Sequence, residues 1–227
     1  MNDEHGISAA PTRREFCAQA LSRGVPVYAE RKVDFRRELA IIGCRIDHAR
    51  SRRVDQWIYP ETHQRRTHQK FETYAFSAAG ALARKAVVDQ VGGFNERLFI
   101  YNEEVDLAYK VMRAGYKVGY DSAARVYHRP SAVGRAPGKD YWRLMIRNWI
   151  WIFFQFYPAP SAWRRTMTYA SVYLVKGLAQ GQLAAVWSGI REGVAGRRDL
   201  LGEPKLSPEQ RRRIDHLNRR RTIKLGR

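Results

Sequence analysis

The segment Tyr101-Asn102-Glu103-Glu104-Val105-Asp106-Leu107 puts three carboxylates within four positions, at the start of a helical pattern. A carboxylate in the first turn of a helix projects past the helix end, and the positive end of the macrodipole keeps it ionised. That combination suits a general base taking a proton from a hydroxyl. Glu103 and Asp106, three apart, share one face, whereas Glu104 points to the side, so the three need not do the same job. A purely structural reading stands beside this one: first-turn acids stabilise a helix by ~0.3–1 kcal/mol each without any further role. Two other features bear on chemistry. His128 ends the short run Arg125-Val126-Tyr127-His128 and becomes a metal ligand only where another donor lies nearby. The small residues Ala78, Ala79, Gly80 and Ala81 allow another group close to the backbone.

The surrounding elements must position these groups. Leu39–Ile46 (LAIIGCRI) reads as a buried strand, short, apolar and rich in β-branched residues. Val54–Tyr59 reads as a short strand within a polar connection over 47–70, and Phe71–Leu82 as a second long strand entering the small-residue patch. Lys85–Val91 predicts a helix stopped by Gly92-Gly93, Phe94–Tyr101 a loop, and Glu103–Ala114 a helix with Asn102 as N-cap and Gly115 as its stop. Tyr116–Tyr120 and Ala124–His128 predict two further strands, followed by a Gly/Pro loop over Pro130–Gly138. Tyr141–Tyr157 predicts an aromatic helix closed by Pro158 and Pro160, and Trp163–Ile190 one long helix. A further helix from Ser207 has Ser207 as cap and Pro208 at its first position, and Thr12–Ser22 is helix-compatible. Strands alternating with helices give an α/β layered domain of roughly five strands.

Several linked pieces together resemble the C-terminal half of family 2 glycosyltransferases, close to rhamnosyltransferase-like members. They are Ala78-Ala79-Gly80-Ala81-Leu82-Ala83-Arg84, Val91-Gly92-Gly93-Phe94-Asn95-Glu96, Phe99-Ile100-Tyr101, Glu103-Glu104-Val105-Asp106-Leu107, Arg113-Ala114-Gly115-Tyr116, Val126-Tyr127-His128 and Arg147-Asn148. The resemblance implies an α/β fold of partial GT-A type, a sheet with flanking helices followed by long C-terminal aromatic and basic helices. It also implies sugar transfer from a nucleotide-diphosphate sugar to a lipid-linked or glycan hydroxyl in cell-surface glycan synthesis. By the same resemblance Glu104 is the catalytic base, with Glu103 holding the acceptor or the loop and Asp106 completing the acidic set. Gly80, Ala79, Arg84 and Tyr101 are substrate-binding, and His128 helps hold a Mg²⁺ or Mn²⁺ ion against the diphosphate. The family's second acid is normally Asp where Glu104 stands here, and its Gly-Gly-Phe-Asp carries Asn95 in place of the Asp. No Asp-x-Asp occurs, and no ~90-residue α/β unit precedes Leu39, so the expectation is a second half behind a shortened or unrelated leader. A separate polypeptide supplying the nucleotide-binding half is the corresponding expected partner.

Composition narrows the classes. The 227 residues include 41 Lys+Arg against 22 Asp+Glu, a net charge of +19, which calls for an anionic partner: nucleic acid, a lipid surface or a phosphorylated substrate. A hydrophobic content of 44% excludes wholesale disorder. Cys17 and Cys44 are too few for a disulfide framework, which fits a reducing, cytoplasmic compartment. The start, Met1-Asn2-Asp3-Glu4-His5, lacks the basic and apolar stretches of an export signal, and no apolar run reaches ~18 residues. The aromatic helix is expected either in a core or on a membrane interface, and Arg211-Arg212-Arg213 with Arg219-Arg220-Arg221 either in solvent or against anionic lipid. Together they point to peripheral attachment at the inner face of the plasma membrane. The expected organisation is a leader (1–35), the partial catalytic half (36–140), apolar and aromatic helices (141–190) and a basic tail (191–227). Two other functions compete: a non-catalytic accessory or relic half of a split transferase, and a nucleic-acid-binding protein, the latter disfavoured because the charge is not gathered into a reading motif.

Overall fold

A computed structural model describes residues 28–29, 38–48, 54, 68–128 and 138–218. The described residues form one mixed sheet of β1 (Tyr28–Ala29), β2 (Leu39–His48), β3 (Lys70–Thr73), β4 (Ala81–Ala83) and β5 (Lys117–His128). Among the described residues six α-helices accompany it: α1 (Lys85–Gln90), α2 (Glu103–Arg113), α3 (Gly138–Phe156), α4 (Ala159–Ala179), α5 (Leu183–Gly196) and α6 (Pro208–Asn218). The α/β class holds. β2 and β5 form a central parallel pair, β4 adds antiparallel to β2, and β1 and β3 add antiparallel to β5.

Several expected elements are redrawn by the structure. Phe71–Leu82 is not one strand: β3 lies beside β5 and β4 beyond β2, so residues 74–80 must cross two strands. Tyr74, Ala75, Phe76 and Ser77 are buried in that crossing, and a turn closed by Gly80 N–H donating to the Ser77 carbonyl (3.1 Å) starts β4. The two strands expected over 116–128 are one, interrupted by a bulge in which Cys44 pairs with Asp121 and Arg45 with Arg125. Asp121 builds the bulge, accepting from the Ala123 N–H (2.9 Å) and pairing with Lys70 (2.7 Å). The long helix expected over Trp163–Ile190 is a hairpin of α4 and α5, broken at Gly181, whose φ of +66° favours glycine. Of the expected Val54–Tyr59 strand, Val54 forms a bridge to Asp47 and the rest lies outside the described residues, as do the Thr12–Ser22 helix, most of the Pro130–Gly138 loop and Arg219–Arg221.

The core explains the aromatic helix. From Ile146 to Tyr157 every residue of α3 and its end is buried, so this stretch packs inside the fold, while the first turns of α3 remain partly exposed. Tyr109 of α2 meets Phe156 and Tyr157 edge-on (5.4 and 6.3 Å), locking α2 and α3 together. α5 sinks onto α3 because a Cβ at Gly189 would overlap the Arg143 carbonyl and one at Gly193 would crowd Ile150. Ser207 caps α6 as expected, and Gln210 makes the cap reciprocal: Gln210 N–H donates to Ser207 Oγ (3.2 Å) and Ser207 N–H to Gln210 Oε1 (2.8 Å). Gln210 Nε2 also donates to the last carbonyls of α2, Met112 and Arg113, while Arg213 makes a two-bond pair with Glu72 of β3. The tail's arginines are therefore partly used inside the fold. No described helix is long and apolar enough to cross a membrane.

Candidate active site

Helix α2 turns through Ala114–Gly115 directly into β5, so its amino end, carrying Glu103 and Glu104, lies toward the carboxyl half of the parallel pair. In open α/β sheets that edge is where ligands bind. The Ala78 N–H donates to Glu104 Oε1 (3.4 Å), which joins the acid to the small-residue turn. Glu103 and Glu104 are both half-buried.

The loop before α2 has an unusual backbone. Phe99 (φ +63°, ψ −65°) sits at the centre of a γ-turn closed by Ile100 N–H to the Leu98 carbonyl (2.8 Å), and Tyr101 and Asn102 are left-handed, φ +72° and +63°. Such conformations cost of order 1–3 kcal/mol each and persist only where the surroundings enforce them. Asn148 Nδ2 donates to the carbonyls of Leu98 (3.0 Å), Ile100 (2.8 Å) and Tyr101 (2.7 Å). Arg147 donates to the Leu98 carbonyl (3.0 Å) and, through Nη1, to Glu192 (2.8 Å). Burial pushes the Glu192 carboxyl up, but hydrogen bonds from Arg147 and Arg143 outweigh it and hold the group below the usual carboxylate range. The Arg147-Asn148 pair is thus a clamp that shapes the loop delivering Glu103 and Glu104. Asn102 stands at the expected N-cap of α2 and its carbonyl accepts the first helical bonds, but its side chain does not cap the helix: Nδ2 donates instead to the Met145 carbonyl of α3 (3.3 Å).

Asn148→Leu removes the donor described for the Ile100 and Tyr101 carbonyls, while Leu98 keeps Arg147 and the Ile100 N–H. We expect it to cost about 2–4 kcal/mol, at ~1–3 kcal/mol per buried group stripped of its partner. Urea unfolding measures the loss, and faster amide exchange over residues 98–104 checks that it lies in the loop.

The other sequence-derived candidates separate. Asp106 is fully buried and turned away from the Glu104 edge, 3.0 Å from Lys110 Nζ, with Asn95 and Gln155 beside it. Lys110 also donates to the Gly93 carbonyl (3.1 Å), so Asp106 ties the Gly-Gly turn to α2 and does not share the surface of Glu104. Its pairing was open to detection in the sequence as an Asp-Lys spacing of four. Gly80 is buried, and a Cβ there would come within 3.1 Å of Ile46 and Val126. The group that approaches its backbone is the sheet itself. Ala79 beside it is half-buried. Tyr101 packs edge-on against Tyr141 (5.0 Å). The Arg84 backbone lies further along the sheet: its N–H donates to Ala40, at the amino end of β2, whereas the Gly80 carbonyl accepts from Cys44. Those two points are roughly 13 Å apart along the strand.

His128 ends β5 opposite His48, beyond the Gly80 turn. Among the described residues no group of three or more His, Cys, Asp or Glu side chains could hold a metal ion. Asp47, the acid next to this strand end, lies between Arg45 (3.0 Å) and Arg125 (3.3 Å). The donors described therefore do not fit the divalent ion that the resemblance implies. Cys44 offers no nucleophile either, because burial pushes its thiol up to about 12.

No family model matches the chain. Over 62 residues, 27% of this chain, it is 40% identical to N-acetylglucosaminyl-diphospho-decaprenol L-rhamnosyltransferase of Mycobacterium tuberculosis, in two strains. Over 146 residues, 62% of this chain, it is 30% identical to the O-antigen biosynthesis protein RfbC of Myxococcus xanthus. The matches span 20% of the length of the first relative and 11% of the second. In part of its length, this chain is similar to proteins of cell-surface glycan synthesis, and its likeness is to glycosyltransferases.

Proposed function

We propose that this chain carries the acceptor-side chemistry of a glycosyltransferase, with Glu104 as the general base. Glu104 takes the proton of an acceptor hydroxyl while that oxygen attacks the anomeric carbon of a nucleotide-diphosphate sugar. The bond from that carbon to the diphosphate oxygen breaks, and the nucleoside diphosphate leaves with its electron pair. Glu103 and Tyr101 flank the acceptor, and the turn at Ala79–Gly80 sets how far Glu104 can reach. Asp106 acts as a positioning residue through Lys110.

The observation that carries this reading is the clamped left-handed loop. Backbone strain enforced by Asn148 and Arg147 is spent on fixing the first turn of α2, where the two glutamates stand. The similarity to a rhamnosyltransferase supports the same reaction class and names a probe. The full chain, incubated with a nucleotide-diphosphate rhamnose and N-acetylglucosaminyl-diphospho-polyprenol, is expected to yield an acceptor heavier by one deoxyhexose by mass spectrometry. A panel of other nucleotide-diphosphate sugars covers a different donor. Failure with every donor, by a folded chain, overturns autonomous transfer.

A further inference from the structure

The α4–α5 hairpin ends in an apolar tip that nothing in the described fold covers. Around the Gly181 turn, Val175 is 58% exposed, Leu178 69%, Leu183 43% and Trp187 56%. Away from the tip, Met167 of α4 and Tyr141 of α3 are the exposed large apolar side chains described on these helices, and at the tip the two helices pack closely: a Cβ at Gly177 would collide with the Val186 side chain. Residues 159–191 contain no Asp or Glu but carry Arg164, Arg165, Lys176 and Arg191, with Arg164 and Arg191 on the exposed faces. The tie from Arg165 to Asp215 of α6 (2.5 Å) anchors the hairpin's base roughly 22 Å from the tip along α4.

The structure assigns this tip to the headgroup region of an anionic bilayer. Trp and Leu side chains at the turn of a hairpin whose charged residues over 159–191 are all basic, Lys176 nearest the turn and Arg164 and Arg191 further back along the two helices, match what a membrane interface takes up: apolar groups below the phosphates, cations among and above them. A second copy of the chain is the weaker fit. The four side chains expose on the order of 400 Å², well short of the ~800 Å² per partner that a stable dimer buries. In the described part of the basic tail, Arg213 is already held by Glu72. The assignment deepens the proposal of a lipid-linked acceptor, and its test requires neither donor nor acceptor.

The full chain is mixed with vesicles of phosphatidylglycerol and phosphatidylcholine, or of phosphatidylcholine alone, and sedimented. The wild type is expected to bind the anionic vesicles, and L178S/W187S to bind them about tenfold more weakly or worse, with unchanged circular dichroism and Tm. Brominated lipid is expected to quench wild-type fluorescence, and most of that quenching to vanish in W187F. The assignment is overturned if the wild type binds neither vesicle, or if L178S/W187S binds as the wild type does while R219Q/R220Q/R221Q does not. It is equally overturned if the wild type is a dimer that L178S/W187S splits into monomers without loss of vesicle binding. Absence of sugar transfer in the same preparation leaves it standing and counts only against the transferase reading.

Discussion

Lys110→Met is expected to destabilise the fold by about 3–5 kcal/mol, the usual cost of stripping one partner from a buried ion pair. In a chain of this size that is a fall of roughly 10 °C in Tm. Asp106 has no exposure to water and its nearest cation is Lys110 at 3.0 Å. Methionine fills the space of the lysine stem but leaves a carboxylate in the core. The loss therefore depends on pH. Burial raises the Asp106 carboxyl above the ordinary carboxylate range, against the opposing pull of Lys110. The folded chain thus binds that proton more tightly than the unfolded chain. Stability from this group is complete below the unfolded value of about 4 and is lost as pH rises through the folded value. Without Lys110 the folded value rises further, so K110M should recover stability on acidification over a wider window than the wild type. D106N/K110M should regain most of the loss at neutral pH. Urea unfolding of the three variants from pH 4.5 to 8 measures this. Equal stability of K110M and wild type at pH 7 would show that Asp106 is not ionised in the fold.

That pair also shows where sequence reading ends. The acids at 103, 104 and 106 look alike in a first turn, and only the packing of α2 against α3 separates them. Glu104 faces the turn at Ala78, while Asp106 faces Asn95 and Gln155. Strand β2 was legible because Leu39–Ile46 is apolar, too short for a typical helix and enriched in β-branched isoleucine. The break between β3 and β4 was not, since residues 74–77 are as apolar as a strand and only the sheet order makes them cross it. The bulge in β5 hid for the opposite reason: Asp121 looks like the end of a strand yet stabilises its continuation. Arg147-Asn148 could be matched to a family pattern, but its role could not be read. Its partners are backbone carbonyls some fifty residues away, which have no sequence identity. Gly181 was the missed signal in the C-terminal region, lying in Gln180-Gly181-Gln182 within an otherwise apolar helical pattern. The apolar character of α3 was correctly open to two readings, and its burial in the core decides between them.

The proposed reaction turns on one carboxylate, Glu104, beside the turn at Ala78. Glu104→Gln keeps the shape and the hydrogen bond from Ala78 but removes the base. It is expected to lower kcat about 10²–10⁴-fold, the range that a positioned proton acceptor contributes, with KM for the acceptor held within a few-fold. Glu103→Gln, which alters acceptor placement, should act mainly on KM. Side-by-side transfer rates for wild type, E104Q and E103Q, with folding verified by circular dichroism, separate the two roles. A large kcat loss confined to E104Q is the predicted result. An E104Q protein that transfers sugar within a few-fold of the wild-type rate would contradict the assignment.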